Sequence, residues 1–133
     1  MTAVTDSALS LLGLALRGNN LAVGEEPVED ACKARRARLV ITAADAAQNS
    51  ADRARRWAEA GGALSAPVPW DKETLGRALG RSSCAMAALT DRGLAGAVAA
   101  RLVQADEGLR PSLEPLLHEK KNGRAQRPAA PET

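Results

Sequence analysis

The sequence predicts an α/β protein, a three-layer α/β/α sandwich around a four-stranded mixed sheet. One indication is the apolar run from Leu39 to Ile41, because such runs between charged helices are typical of strands buried on both faces. Another is the alternation of helical and extended patterns in the order αβαβαβαβα, which indicates helices on both faces of a sheet. The length of 133 residues suits one domain with a substantial core.

Each element in the first half of the chain has a local signal. Leucines at helical spacing predict a helix over residues 5–17, and Gly and Asn residues end it. A short strand over 21–23 precedes a helix over 25–34, in which Pro27 is tolerated because it lies in the first turn. The strand that contains the apolar run from Leu39 to Ile41 leads to a helix over 46–60. We expect Asp45 to be its N-cap, with Gln48 completing a capping box.

The second half continues the same alternation. Two prolines make the extended segment over 63–69 an edge or terminal strand. Asp71 is predicted to cap a short helix that ends at Gly80, with Trp70 and Leu75 as a hydrophobic staple. An apolar strand over 84–89 precedes a last helix, which we expect Thr90 and Asp91 to cap. The sandwich is thus predicted to occupy residues 1–104, and residues 105–133 to form a partly helical to disordered C-terminal tail.

The residue types argue against an enzyme. The single histidine, His118, lies in the predicted tail, so no His-based triad or metal cluster is available. Cys32 and Cys84 are isolated and lie in apolar surroundings, as expected of core residues in a cytoplasmic protein. The glycines spell no dinucleotide-binding fingerprint. We therefore expect no catalysis, no cofactor and no metal.

Charge and hydropathy restrict the classes of partner. With 18 basic and 16 acidic residues, the net charge of +2 does not by itself indicate nucleic acid. Only the run of four cations between residues 33 and 38 is dense enough to do so, and it could equally be the solvated end of a helix. Because no apolar stretch reaches membrane-spanning length, a cytoplasmic protein without membrane contact is expected.

Four segments, taken in order, carry a family resemblance. They are Leu11-Leu12-Gly13-Leu14-Ala15-Leu16-Arg17 with Gly24-Glu25-Glu26; Ala37-Arg38-Leu39-Val40 with Ala43, Asp45-Ala46 and Asn49; Leu75-Gly76-Arg77-Ala78-Leu79-Gly80; and Ala88-Leu89-Thr90-Asp91-Arg92-Gly93-Leu94-Ala95. Together they resemble the bacterial branch of the L7Ae/L30e ribosomal-protein family, that of the YlxQ-type RNA-binding proteins. The resemblance implies an L30e-like sandwich that binds structured RNA through loops at one end of its sheet.

The resemblance also implies which residues touch RNA. In the family three loops hold it, and they correspond here to residues 19–30, 43–49 and 80–84. Helix N-termini and nearby cations in such loops suit phosphate groups. The RNA-binding residues expected on this basis are Gly24, Glu25, Glu26, Lys33, Arg35, Arg36, Arg38, Arg77, Gly80, Arg81, Ser82 and Ser83.

Three positions differ from the kink-turn-binding members of the family, which carry an Asn-Glu pair after the glycine and a Lys one turn later. The matching residues here are Glu26, Pro27 and Asp30. Because carboxylates repel phosphate, we do not expect specific kink-turn recognition. The resemblance implies a non-catalytic, ribosome- or translation-associated monomer whose partner is structured RNA, ribosomal RNA included, rather than DNA. The alternative is a protein-interaction module that kept the sandwich and lost RNA recognition.

Overall fold

A computed structural model describes residues 3–117. The predicted tail from residue 118 onward lies outside this range. Five helices and four strands alternate in the predicted order: α1 (Ala3–Arg17), β1 (Leu21–Val23), α2 (Glu25–Lys33), β2 (Leu39–Thr42), α3 (Gln48–Ala60), β3 (Leu64–Pro67), α4 (Lys72–Ala78), β4 (Met86–Leu89) and α5 (Arg92–Ala105). A 3-10 turn (Glu107–Leu109) and a helix over residues 110–117, α6, follow α5.

The four strands form one mixed sheet in the order β1-β4-β2-β3. Of the two inner strands, β4 is antiparallel to both of its neighbours, whereas β2 is parallel to β3. Leu39 lies at the centre, opposite Leu89 on one side and Leu64 on the other. Strand β3, which ends at Pro67, lies at an edge of the sheet, as the two prolines of the segment over 63–69 predict.

Helices cover both faces of the sheet, so the predicted three-layer sandwich is confirmed. On one face α1, α4 and α5 enclose the larger apolar core, and on the other α2 and α3 enclose the smaller one. Alternate side chains of β2 enter different cores: Leu39 and Ile41 belong to the larger, Val40 to the smaller. All three are fully buried, which explains why the sequence of this strand is a continuous apolar run without alternating polar residues.

The predicted caps of α4 and α5 are confirmed. Asp71 and Asp91 each accept a hydrogen bond from the backbone N–H three residues further on, at 2.7 and 2.8 Å. Trp70 and Leu75, the two members of the predicted staple, are both buried in the larger core. These signals succeeded because every group involved lies within one helical turn.

The predicted capping box of α3 is wrong. This helix begins at Gln48, and no side chain caps it. Asp45 instead accepts a hydrogen bond from the backbone N–H of Lys72, in the first turn of α4, with an N···O distance of 2.7 Å. Gln48 donates to Asp52 at 3.0 Å. The spacing was right for a local cap, but folding brings a second helix start within reach of the same carboxylate.

Helix α6 packs against the sandwich although it follows the predicted boundary at residue 104. Leu113 is fully buried and Leu116 is 4% exposed, and both belong to the larger core. Two prolines in this segment weaken its helical pattern in the sequence. The boundary itself stays a prediction.

Candidate nucleic-acid interface

The loop before β4 lies against the start of α2. Gly24 adopts a φ of 98°, and its N–H donates to the carbonyl of Met86 at 3.0 Å. The thiol of Cys84 donates to the same carbonyl at 3.1 Å. Two of the three loops that the resemblance indicated therefore meet at the beginning of β4. We call Gly24 together with residues 80–83 the loop face.

The close approach of α4 fixes the loop over residues 80–84. A Cβ atom on Gly76 would lie 2.6 Å from the Cα of Ser83, so only glycine fits without moving this loop. The N–H of Arg81 donates to the carbonyl of Gly76 at 2.7 Å. Gly80 has a φ of 76°, which turns the chain sharply after α4. All four residues from Gly80 to Ser83 are exposed as a result.

Glu25, at the start of α2, is held by α3. Arg53 donates to both of its carboxylate oxygens at 2.9 and 2.8 Å, and the hydroxyl of Ser50 donates at 2.8 Å. The hydrogen bonds from Arg53 and then Ser50 keep the pKa of the Glu25 carboxyl below its usual value. Sequence reasoning did not include Ser50 or Arg53 in the site, because nothing local links residues more than twenty positions apart.

The four cations between residues 33 and 38 do not form one patch. Lys33 forms an ion pair with Glu29 at 3.1 Å, along the same helix. Arg35, with a φ of 59°, directs its guanidinium to the carbonyl of Ala60 at 3.4 Å, at the end of α3. Cations stabilise such helix ends, so Arg35 is engaged in the fold itself.

The other two arginines of this run lie on different surfaces. Arg38 is half-buried and lines a cavity of about 130 Å³ together with Gly62 and Arg92. Arg36 lines a separate and larger cleft, which it shares with Arg81 of the loop face. The cations diverge because they occupy a turn, in which successive side chains point in different directions.

The larger cleft, of about 530 Å³, runs along the free edge of β1 and is called the β1-edge cleft below. Its charged lining consists of Glu26, Asp30, Arg36 and Arg81. All four side chains are exposed, and none has an ion-pair partner within 4 Å in the described part of the chain. The cleft thus joins one cation of the turn after α2 to one of the loop face. Arg77, also expected in the site, pairs at 3.6 Å with Glu73 on α4.

Neither cysteine is placed for nucleophilic chemistry. Burial raises the pKa of both the Cys32 and the Cys84 thiols, and so reduces the thiolate fraction at neutral pH. Over residues 3–117 no group of three or more potential ligands is arranged to hold a metal ion. In the same range no helix is both long and apolar enough to cross a bilayer.

Comparison with solved structures identifies similar proteins. A protein of unknown function from Bacillus halodurans is 30% identical, over 71% of this chain and 95% of that one, with a TM-score of 0.66. The 15.5kD RNA binding protein of Giardia lamblia is 20% identical, over 80% of this chain and 91% of that one, with a TM-score of 0.61. Neither a protein-family model nor a curated protein matches the chain. The fold is L7Ae-like, as the resemblance implied.

Proposed function

Since this chain belongs to the same family as the Bacillus halodurans protein and shares its fold with a Giardia lamblia RNA-binding protein, we propose that it binds structured RNA and catalyses no reaction. The observation that carries the proposal is the contact between the start of α2 and the loop over residues 80–84, both bound to the carbonyl of Met86. The finer assignments, a YlxQ-type protein, monomeric, cytoplasmic and associated with ribosomes or translation, form part of the proposal.

The loop face offers groups that suit an RNA backbone. The first backbone N–H groups of α2 lack partners within the helix and lie at its positive end. Arg81 supplies an exposed guanidinium that has no ion-pair partner within residues 3–117, and Ser82 and Ser83 supply exposed hydroxyls. Such groups bind phosphates and sugars and so position RNA, whatever its sequence.

Arg53 offsets one of the acidic charges at this end of α2. It forms an ion pair with Glu25 at 2.8 Å, and this pairing reduces the repulsion between the Glu25 carboxylate and RNA phosphates. Glu26 has no such partner among the described residues and is an exposed acid in the β1-edge cleft. The proposal is therefore RNA binding at the loop face without kink-turn recognition, because that recognition needs a donor where Glu26 has only acceptors.

The expected cations contribute unequally in this proposal. Arg81 and Arg36 are exposed and form no ion pair with any residue that the structure describes, so they are assigned the main electrostatic contacts. Lys33, Arg35 and Arg77 already contact protein groups, and Arg38 lies at a different cavity, so their contribution is smaller.

The test measures binding of labelled structured RNAs, including ribosomal RNA fragments, to the full chain over a range of salt concentrations. Arg81→Gln and Arg36→Gln should each lower affinity and reduce the salt slope by about one. Arg110→Gln removes a cation that pairs with Glu107 and belongs neither to the loop face nor to the lining of the β1-edge cleft, and it is the matched control. Absence of binding at low salt would refute the proposed function, and equal losses in all three variants would refute the assigned surface.

A further inference from the structure

The backbone of β1 has one side that no strand of the described chain covers. The N–H of Gly24 donates to Met86, and the N–H of Thr90 donates to the carbonyl of Asn20, both at 3.0 Å. Because facing residues in an antiparallel pair alternate between bonded and non-bonded, Ala22 turns its backbone groups toward β4. The N–H and C=O groups of Leu21 and Val23 therefore point outward, into the β1-edge cleft.

Two carboxylates flank this free edge at a spacing that matches a strand. Glu26 and Asp30 lie one turn apart on α2, about 6 Å along its axis. Side chains on one face of an extended segment recur every second residue, about 6.7 Å apart. Both carboxylates line the cleft, and neither has an ion-pair partner in the described part of the chain.

We propose that the β1-edge cleft binds an extended protein segment, which joins the sheet as a fifth strand and carries Lys or Arg at two alternate positions. The outward N–H and C=O groups of Leu21 and Val23 supply the main-chain hydrogen bonds of such strand addition. Glu26 and Asp30 supply the selectivity by pairing with the two cations of the segment.

The remaining charges of the cleft restrict the partner further. Arg81 enters from the loop before β4, near the Val23 end of the edge, and Arg36 from the turn after α2, near the Leu21 end. In a segment with more than two consecutive basic residues, the outer cations would be repelled by these two arginines. The segment therefore carries neutral or acidic residues before and after its two cations. RNA is less suited to the middle of the cleft, because Glu26 and Asp30 would face its phosphates.

The test uses the full chain and a labelled nine-residue peptide of threonine and valine with lysines at positions 4 and 6. Moving the lysines to positions 4 and 5 places them on opposite faces of a strand, so that one charge pair is lost, and should weaken binding about twofold. The backbone N–H groups of alternate peptide residues would point toward β1, and those of the residues between them would point away. N-methylation of the first set should abolish binding, whereas N-methylation of the second set should be tolerated.

Variants of the chain complete the test. The double variant E26Q/D30N should weaken the 4,6-lysine peptide about fivefold, whereas E29Q, on the same helix but paired with Lys33, should leave it unchanged. Thermal unfolding measured by circular dichroism checks that both variants are folded. Equal affinity for the two lysine arrangements, or equal effects of the two methylation sets, overturns the proposal.

Competition separates this inference from the proposed function. A structured RNA that displaces the peptide, together with a peptide affinity that E26Q/D30N leaves unchanged, would assign the cleft to RNA and overturn the inference. Peptide binding that follows the expected pattern while no RNA binds would support the inference and refute only the proposed function. A dimer that dissociates when E26Q/D30N is introduced would assign the edge to a second copy of the chain, and likewise overturns the inference.

Discussion

Asp45 and Lys72, 27 residues apart, are joined by a hydrogen bond of 2.7 Å from the backbone N–H of Lys72 to the carboxylate. A second bond of 2.8 Å joins the N–H of Ala44 to the carbonyl of Trp70. The segment after β2, one of the three loops indicated by the family resemblance, is thereby attached to the start of α4. The carboxylate of Asp45 thus satisfies an N–H group that α4 cannot satisfy itself.

Replacing Asp45 by alanine should destabilise the protein, because the N–H of Lys72 then loses its acceptor. We expect a loss of about 1 kcal/mol in the free energy of unfolding, the size typical of a lost helix cap. Chemical denaturation monitored by circular dichroism measures it. Glu59→Ala, an exposed carboxylate on α3, is the control and should change stability much less. Equal effects of the two substitutions would contradict the assigned role of Asp45.

Replacing Gly76 by alanine should displace the loop over residues 80–84. The new Cβ would lie 2.6 Å from the Cα of Ser83, and backbone atoms must move to relieve that contact. We expect a loss of about 1–3 kcal/mol in stability, as for overpacked cores. RNA affinity should fall as well if the loop face binds RNA.

Gly13→Ala is the matched control for this substitution. Gly13 lies inside α1, where, among the described residues, a new Cβ would meet only the end of the Arg17 side chain, at 3.6 Å. There alanine should stabilise the helix by about 0.5–1 kcal/mol. Thermal unfolding of the two variants should therefore shift in opposite directions, and a shift in the same direction would count against the close approach at Ser83.

The ion pair between Glu25 and Arg53 should make stability depend on pH. Because hydrogen bonds from Arg53 and Ser50 lower the pKa of Glu25 in the folded protein, its contribution is fully present above the ordinary value of 4.5. That contribution is lost as the pH falls through the folded-state pKa. The pair is partly exposed, with 37% and 40% of the side chains accessible, so we expect only about 0.5 kcal/mol.

Glu25→Gln should therefore lower the unfolding free energy at pH 7 and have less effect at pH 3. Urea denaturation at the two pH values measures the difference. Glu73→Gln, whose carboxylate lies 3.6 Å from Arg77 on the surface of α4, is the control for removal of a charge and should lower the unfolding free energy at pH 7 less than Glu25→Gln does. A Glu25→Gln effect that persists undiminished at low pH would show that the charge of Glu25 is not responsible.

The two thiols should react slowly in the folded protein. Cys32 and Cys84 are 2% and 4% exposed, and burial raises the pKa of both. A colorimetric thiol reagent at pH 7 should modify them much more slowly in buffer than in denaturant, because both access and thiolate fraction are reduced. If one thiol reacted at the same rate in buffer and in denaturant, the segment that contains it would be shown to unfold locally and expose the thiol.

The sequence by itself determined the order and type of the elements and several of their ends. Helical periodicity, end signals such as Asp71 and Asp91, and the apolar run of β2 lie within one element and do not depend on distant residues. The resemblance added the loops that contain Gly24 and Gly80. Their contact with RNA stays a prediction, although the two loops meet at the carbonyl of Met86.

Only the tertiary structure decided which partners the polar and charged side chains contact. Asp45 was expected to cap the helix beside it but accepts a hydrogen bond from Lys72 in the first turn of α4, and Glu25 is held by residues of α3. The four cations between Lys33 and Arg38 lie within six residues of the sequence yet line different surfaces, because the side chains of successive residues in a turn point in different directions. Hydrogen bonds and ion pairs depend on distance in space, and sequence spacing reports that distance only within a single helix or strand.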